Sequence, residues 1–118
     1  MPDHGREIRR GEIYQVDWNP SRGSEQTGSR PALIIQNDIG NKASPNTIVA
    51  GISTRITESY PFVVHCKSGE GGLTRDSAID LATIMTVSKT RLGVRFGQLG
   101  DVKMAEVDEA IKTSLGLS

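Results

Sequence analysis

The chain has 118 residues, 36% of them hydrophobic, and its fourteen basic side chains balance fourteen acidic ones at pH 7. That length supports one domain around one core, so residues 1–118 read as a single domain whose charged segment 1–9 is expected to be flexible. No apolar run is long enough to span a membrane, Met1–Arg10 has no signal-like apolar stretch, and a lone Cys66 has no intrachain partner; a reducing, cytoplasmic setting is expected.

The predicted elements follow from hydrophobic spacing. In residues 12–18, Tyr14, Val16 and Trp18 alternate with Ile13, Gln15 and Asp17, which predicts a half-buried strand. A polar segment with Gly23 and Gly28 follows, then Arg30-Pro31 and the apolar run 32–36. Pro31 disfavours helical geometry at Arg30, so Arg30 is expected to lie extended at the mouth of the second strand. Residues 47–53 and 62–65 are rich in branched and aromatic side chains and are bounded by turn formers, so both read as strands. Residues 77–81, 84–87 and 94–99 complete the set. Short strands at this spacing predict an antiparallel sheet curled into a small barrel. After Gly100, Asp101 is a good N-cap, and Met104, Val107, Ile111 and Leu115 recur at helical spacing up to Gly116. The fold class is therefore mostly β with short helices, its barrel closed by a C-terminal amphipathic helix.

Several chemistries are excluded by what is missing. There are only two histidines, His4 and His65, and no Cys/His/Asp cluster has metal-ligand spacing, so no metal site and no cofactor are expected. There is no Walker-type loop, dinucleotide fingerprint or nucleophile elbow. Asp76 and Asp80 read as solvated or turn residues, Cys66 as a small strand residue, and His65 as a core or edge histidine. Neutral net charge tells against a broad nucleic-acid face, although a local patch suffices for a few phosphate contacts. The loop 20–29 carries Ser24, Glu25, Gln26 and Ser29 above Arg30. A permanently charged guanidinium on a rigid element beneath such a loop suits an oxyanion such as phosphate.

The blocks Gly-Glu-Ile-Tyr (11–14), Asn-Pro-x-x-Gly-Ser-Glu-Gln (19–26) and Arg-Pro-Ala-Leu-Ile-Ile-Gln-Asn-Asp (30–38) stand in one order. Asn41, Ser44-Pro45, Thr47-Ile48-Val49-Ala50, Arg75-Asp76-Ser77, Lys89-x-Arg91-Leu92 and Val107-Asp108-Glu109-Ala110 follow. In these blocks the chain resembles the MazF/PemK family of toxin endoribonucleases, from Arg10 nearly to the end. The resemblance implies an SH3-like CcdB–PemK barrel, a homodimer, and single-stranded RNA as substrate, bound near the subunit interface. It also implies a cognate MazE-like antitoxin whose acidic tail competes for the RNA groove, and a gating role for residues 21–29.

RNA supplies its own nucleophile, because the 2′-hydroxyl can attack the adjacent phosphorus and leave a 2′,3′-cyclic phosphate. Such an enzyme needs a base, charge stabilisation and a proton for the leaving oxygen. Arg30 suits the last two roles and not the first, being always protonated. The family pairs this arginine with a threonine ending the third strand, and Ser53 stands there: the hydroxyl is kept and the rotamer-restricting methyl is lost. Thr54 should face the other way. Glu25 is a weaker candidate for the base. Ser24, Glu25, Gln26, Ser29 and Thr83 are the expected substrate contacts, with Arg55 and Arg91 as possible contacts to flanking phosphates. Relatives often read Glu-Gln-Ile-Arg-Thr where this chain has Ala82-Thr83-Ile84-Met85-Thr86, which predicts an altered cleavage sequence or weaker activity. Trp18, Tyr14 and Tyr60 are the main aromatics for stacking on bases. Two other classes remain open: a CcdB-like toxin that binds DNA gyrase without catalysis, and an RNA-binding module that has lost cleavage.

Overall fold

Branched and aromatic residues keep the chain extended wherever they cluster, and turn formers separate the clusters. The computed structural model describes residues 7–18 and 28–118. These form β1 (Glu12–Asp17), β2 (Ser29–Ile34), α1 (Asp38–Ala43), β3 (Asn46–Ser53), β4 (Val63–Cys66), β5 (Ser77–Ser88), β6 (Leu92–Gln98) and α2 (Asp101–Leu115). All pairings are antiparallel, in one sheet of order β4-β5-β3-β2-β1-β6.

The sheet buries both faces, each under a different set of side chains. One cluster joins Ile13, Leu33, Ala50, Ile52, Val64, Ile79 and Leu81 to Val107 and Ala110 of α2. The other joins Tyr14, Val16, Ala32, Ile34, Val49 and Val87 to Ile8 and Leu92. Adjacent residues of one strand therefore serve opposite clusters. This corrects the half-buried reading of β1: Ile13 and Tyr14 are 0% and 1% exposed. It also ties down part of the segment expected to be flexible. Ile8 is buried, and the Arg9 backbone N–H donates to Glu12 Oε1 at 2.8 Å.

The curled sheet is a half-barrel, because its edge strands β4 and β6 do not pair with each other. A 3-10 turn at Glu70–Gly72 lies against β6 in the gap. The approach is backbone to backbone. A Cβ on Gly72 would stand 2.0 Å from the Phe96 carbonyl oxygen, and one on Gly97 would stand 2.6 Å from that of Gly71. Gly72 also has φ +80°, in the left-handed region that side chains disfavour.

Other boundaries differ from the sequence expectation for local reasons. The strand β2 begins at Ser29 and ends at Ile34, earlier than the apolar run suggests. The expected strands 77–81 and 84–87 are one strand, β5, with an irregularity between Asp80, paired to Gly51, and Ile84, paired to Ala50. Helix α1 went unforeseen. Asn37 caps it by accepting from the Gly40 N–H at 2.8 Å, and Pro45 stands just beyond its end. In α2 the N-cap is Gly100, so Asp101 is the first helical residue, where its charge complements the helix dipole. Leu115 is exposed, and Ala110 takes its expected place in the core. Gly116, with φ +73°, ends the helix as expected.

The segment before β3 is pinned by a buried amide. Asn41 Oδ1 accepts from Thr47 Oγ1 at 2.7 Å and from Gln36 Nε2 at 3.0 Å. Its Nδ2 donates to the Gln36 carbonyl at 2.9 Å and to Asp38 Oδ1 at 3.1 Å, and Lys89 Nζ donates to its carbonyl. Asp38 also accepts from the Arg10 backbone N–H at 2.7 Å. That bond and the Asn41 amide hold the Asp38 carboxyl below its ordinary value of 3.8.

Three outcomes follow. Gly72→Ala should lose about 2–3 kcal/mol in urea unfolding, from a left-handed side chain and overpacking against β6. Gly100→Ala, where a Cβ meets open space, should lose less than about 1 kcal/mol. Because folding lowers the pKa of Asp38, its stabilisation is present above the ordinary carboxyl range and is lost as pH falls through the lowered value. Unfolding midpoints of Asp38→Asn should therefore approach those of the wild type in acid and fall below them at neutral pH.

Candidate active site

Sheet register decides which side chains meet. β2 and β3 pair Ala32 with Gly51, Leu33 with Ala50 and Ile34 with Val49. Continuing that register by two residues brings Arg30 level with Ser53. β3 and β5 pair Ser53 with Ala78 and Gly51 with Asp80. Alternation then sets Arg30, Gly51, Ser53 and Asp80 on one face, the face of the Tyr14 and Val16 cluster. There the cluster opens into a cavity of about 480 Å³ with Trp18, Arg30, Ser53, Asp80, Thr83 and Met85 in its wall. A second cavity of about 290 Å³ shares Arg30, Pro31, Ile52 and Ser53 with it and extends to Thr54, Arg55 and Ser77.

Arg30 is exposed and forms no ion pair among the described residues, so its charge is available to a ligand. It lies within β2, paired with Val16 of β1, two residues along from the Tyr14–Ala32 pair. Ser53 is half-buried, and its Oγ accepts from the Arg55 backbone N–H at 3.0 Å. That bond fixes the oxygen and leaves its proton to donate. Thr83 reaches the same cavity, and Ser29 is exposed where β2 begins, paired with Asp17. Ser24, Glu25 and Gln26 lie outside the described residues, as does most of the expected gate segment 21–29.

Several residues have other employment. Tyr14 is buried and donates its hydroxyl to Glu12 Oε1 at 3.0 Å, so it is not a stacking surface. Glu12 is itself buried and accepts from Arg95 Nε at 2.9 Å. Tyr60 stacks on Phe62 with ring centroids 5.1 Å apart. Arg91 donates to the Asp17 carbonyl at 3.0 Å, whereas Arg55 lines the second cavity. Trp18 belongs both to the core edge and to the cavity wall. His65 is exposed on edge strand β4, with Nε2 2.9 Å from the Glu58 carbonyl oxygen. The Cys66 thiol is pushed up to about 11, first by burial and then by the nearby Glu70 carboxylate, so it stays protonated at neutral pH.

Asp80 is the residue that the sequence reading missed. Asp76 does serve a turn, accepting from the Ser68 N–H at 2.8 Å. Asp80 instead enters the cavity wall opposite Gly51, which has no side chain to cover it. Between Asp80 and Ile84 the chain leaves Leu81, Ala82 and Thr83 without partners on β3. This irregularity lets Asp80 and Thr83, three apart, share one face, and Thr83 Oγ1 donates to Asp80 Oδ2 at 2.8 Å. A regular strand would have set them on opposite faces. Among the described residues, the cavity wall thus holds one cation and one anion, Arg30 and Asp80, beside apolar side chains.

Comparison with known proteins agrees with this architecture. Residues 9–115 match the family of PemK-like, MazF-like toxins of type II toxin–antitoxin systems. The chain is 48% identical over 111 residues to the endoribonuclease MazF of Staphylococcus saprophyticus, covering 93% of this chain and 92% of that protein. Among solved structures, a mycobacterial endoribonuclease in complex with its cognate antitoxin superposes with TM-score 0.80 at 23% identity, covering 94% of this chain and 97% of that one. A MazE–MazF complex from Deinococcus radiodurans gives TM-score 0.79 at 21% identity, with 96% and 99% covered. At such identities the two structures speak for the fold alone.

Proposed function

The chain belongs to the PemK-like, MazF-like toxins of type II toxin–antitoxin systems, and from that premise we propose that it cleaves single-stranded RNA without a metal ion, at preferred sequences, through Arg30 and Ser53. The observation that carries this reading is the meeting of a guanidinium that forms no ion pair among the described residues and a strand-end hydroxyl at one open cavity.

The 2′-oxygen of the RNA attacks phosphorus, the bond from phosphorus to the 5′ oxygen breaks, and the products are a 2′,3′-cyclic phosphate and a 5′-hydroxyl. Negative charge builds on the phosphorane oxygens in between. Arg30 opposes that charge with two parallel N–H donors, and its guanidinium hands a proton to the departing 5′ oxygen, which leaves as the 5′-hydroxyl. Ser53 donates its free hydroxyl proton to a phosphoryl oxygen and so fixes the phosphate for in-line attack. Glu25 is the carboxylate proposed to take the 2′ proton. Thr83 and Ser29, with Ser24, Glu25 and Gln26 of the loop, contact the flanking nucleotides.

The active species is a cytoplasmic homodimer with RNA near the subunit interface. Its antitoxin is a MazE-like protein whose acidic segment competes for Arg30 and the groove. Met85 and Thr83, in place of longer polar side chains, shift the cleavage sequence.

The test is digestion of a long, weakly structured RNA by purified protein in excess EDTA. Discrete fragments ending in cyclic phosphate are expected. Arg30→Ala should lower cleavage by about 100-fold or more, and Ser53→Ala by about 10- to 100-fold, the range for loss of a transition-state donor. Intact RNA at high wild-type concentration would overturn the nuclease reading and turn attention to a protein target such as DNA gyrase. Tight RNA binding without cleavage would leave only a binding module.

A further inference from the structure

Asp80 is the one anion of the cavity wall among the described residues. It forms no ion pair among the described residues. Two internal donors hold its carboxylate in place: the Ala82 backbone N–H reaches Oδ1 at 3.0 Å, and Thr83 Oγ1 reaches Oδ2 at 2.8 Å. Each carboxylate oxygen can accept two hydrogen bonds, so each keeps one unused site. The result is a half-buried carboxylate in the cavity wall whose two acceptor oxygens are held in place by the strand.

The register separates this group from the reacting phosphate. Ser53 pairs with Ala78, and Asp80 stands two residues further along β5, about 6.6 Å at the rise of a strand. A phosphate held between Arg30 and Ser53 is thus displaced along the sheet from the backbone position of Asp80. A carboxylate also repels phosphate, so the group beside it must be a base edge rich in donors. Met85, which is 41% exposed, and Trp18 supply apolar walls for a ring. Among the four bases, guanine alone offers two adjacent parallel donors, N1–H and the 2-amino group, on its Watson–Crick edge.

We propose that Asp80 is a specificity-determining residue that accepts two hydrogen bonds from a guanine flanking the cleaved phosphate. The proposal rests on the nuclease reading above and adds the base that is read. A carboxylate paired to base donors discriminates by about 1–3 kcal/mol, or roughly 5- to 150-fold.

The experiment uses the full chain and a random-sequence RNA pool, with cut sites read by sequencing for wild type and Asp80→Asn. A matched pair of oligonucleotides then carries guanine or inosine, which lacks the 2-amino group, at the preferred position. Wild type should cut beside guanine at one fixed offset and lose about 10-fold in kcat/KM on inosine. Asp80→Asn, which keeps an acceptor for Ala82, should still cut, with the guanine preference and the inosine penalty both gone. Wild-type cleavage with no fixed guanine, or an inosine penalty that survives in Asp80→Asn, overturns the proposal and leaves the nuclease standing. If Asp80→Asn does not fold, the wild-type comparison of guanine with inosine still decides: no penalty there overturns the assignment. Absence of cleavage by wild type overturns the nuclease reading and this one with it.

Discussion

β3 hydrogen-bonds to β2 on one side and to β5 on the other, and the candidate site hangs from that double pairing. Arg30, Ser53 and Asp80 come from three strands far apart in sequence. They share a face only because the registers hold. A slip of one residue in either ladder would turn a whole strand's side chains over and send one member of the site into the opposite core. The buried residues specify the register on both faces: Leu33, Ala50 and Ile79 lie under α2, and Ala32, Ile34 and Val49 lie on the other side. Packing and chemistry therefore depend on the same alignment.

The cavity is the place where one of the two cores runs out. Tyr14, Val16, Ala32 and Val49 fill that face, and beyond them the row positions pass to Arg30, Gly51 and Ser53. Gly51 leaves floor space: a Cβ there would stand 3.3 Å from Thr83 Cγ2. The irregularity in β5 then turns Thr83 back onto the face of Asp80. A cation and an anion stand two strand positions apart in the cavity wall, which on the proposed reading makes one end a phosphate site and the other a base site. A neutral protein can handle a polyanion in this way, since the arrangement needs a local charge and no basic surface.

Much of this was legible from residues alone. Branched-residue runs bounded by Gly, Pro and Asn gave the strands, and Met104, Val107 and Ile111 gave the last helix. Pro31 gave an extended Arg30, and the resemblance carried the partner hydroxyl to Ser53. What escaped depended on long-range pairing. Helix α1 has only six residues, too short for a periodic signal, and its one clue was the Asn37 cap. Tyr14 looked available for stacking until the second cluster closed over it. Asp80 looked solvated because nothing local to Ile79 or Leu81 announces that Gly51 lies opposite, or that the strand skips before Ile84. The position of the Glu25 carboxylate lies outside the described residues.

The central claim is geometric: one face of the β2–β3–β5 ladder holds the reacting phosphate at Arg30 and Ser53. A crystal structure with a single-stranded RNA made uncleavable by a 2′-deoxy substitution at the cut site tests it most directly. The account predicts the scissile phosphate in the cavity, within hydrogen-bond distance of the Arg30 guanidinium and Ser53 Oγ. RNA ordered elsewhere, with both groups left to solvent, would contradict it.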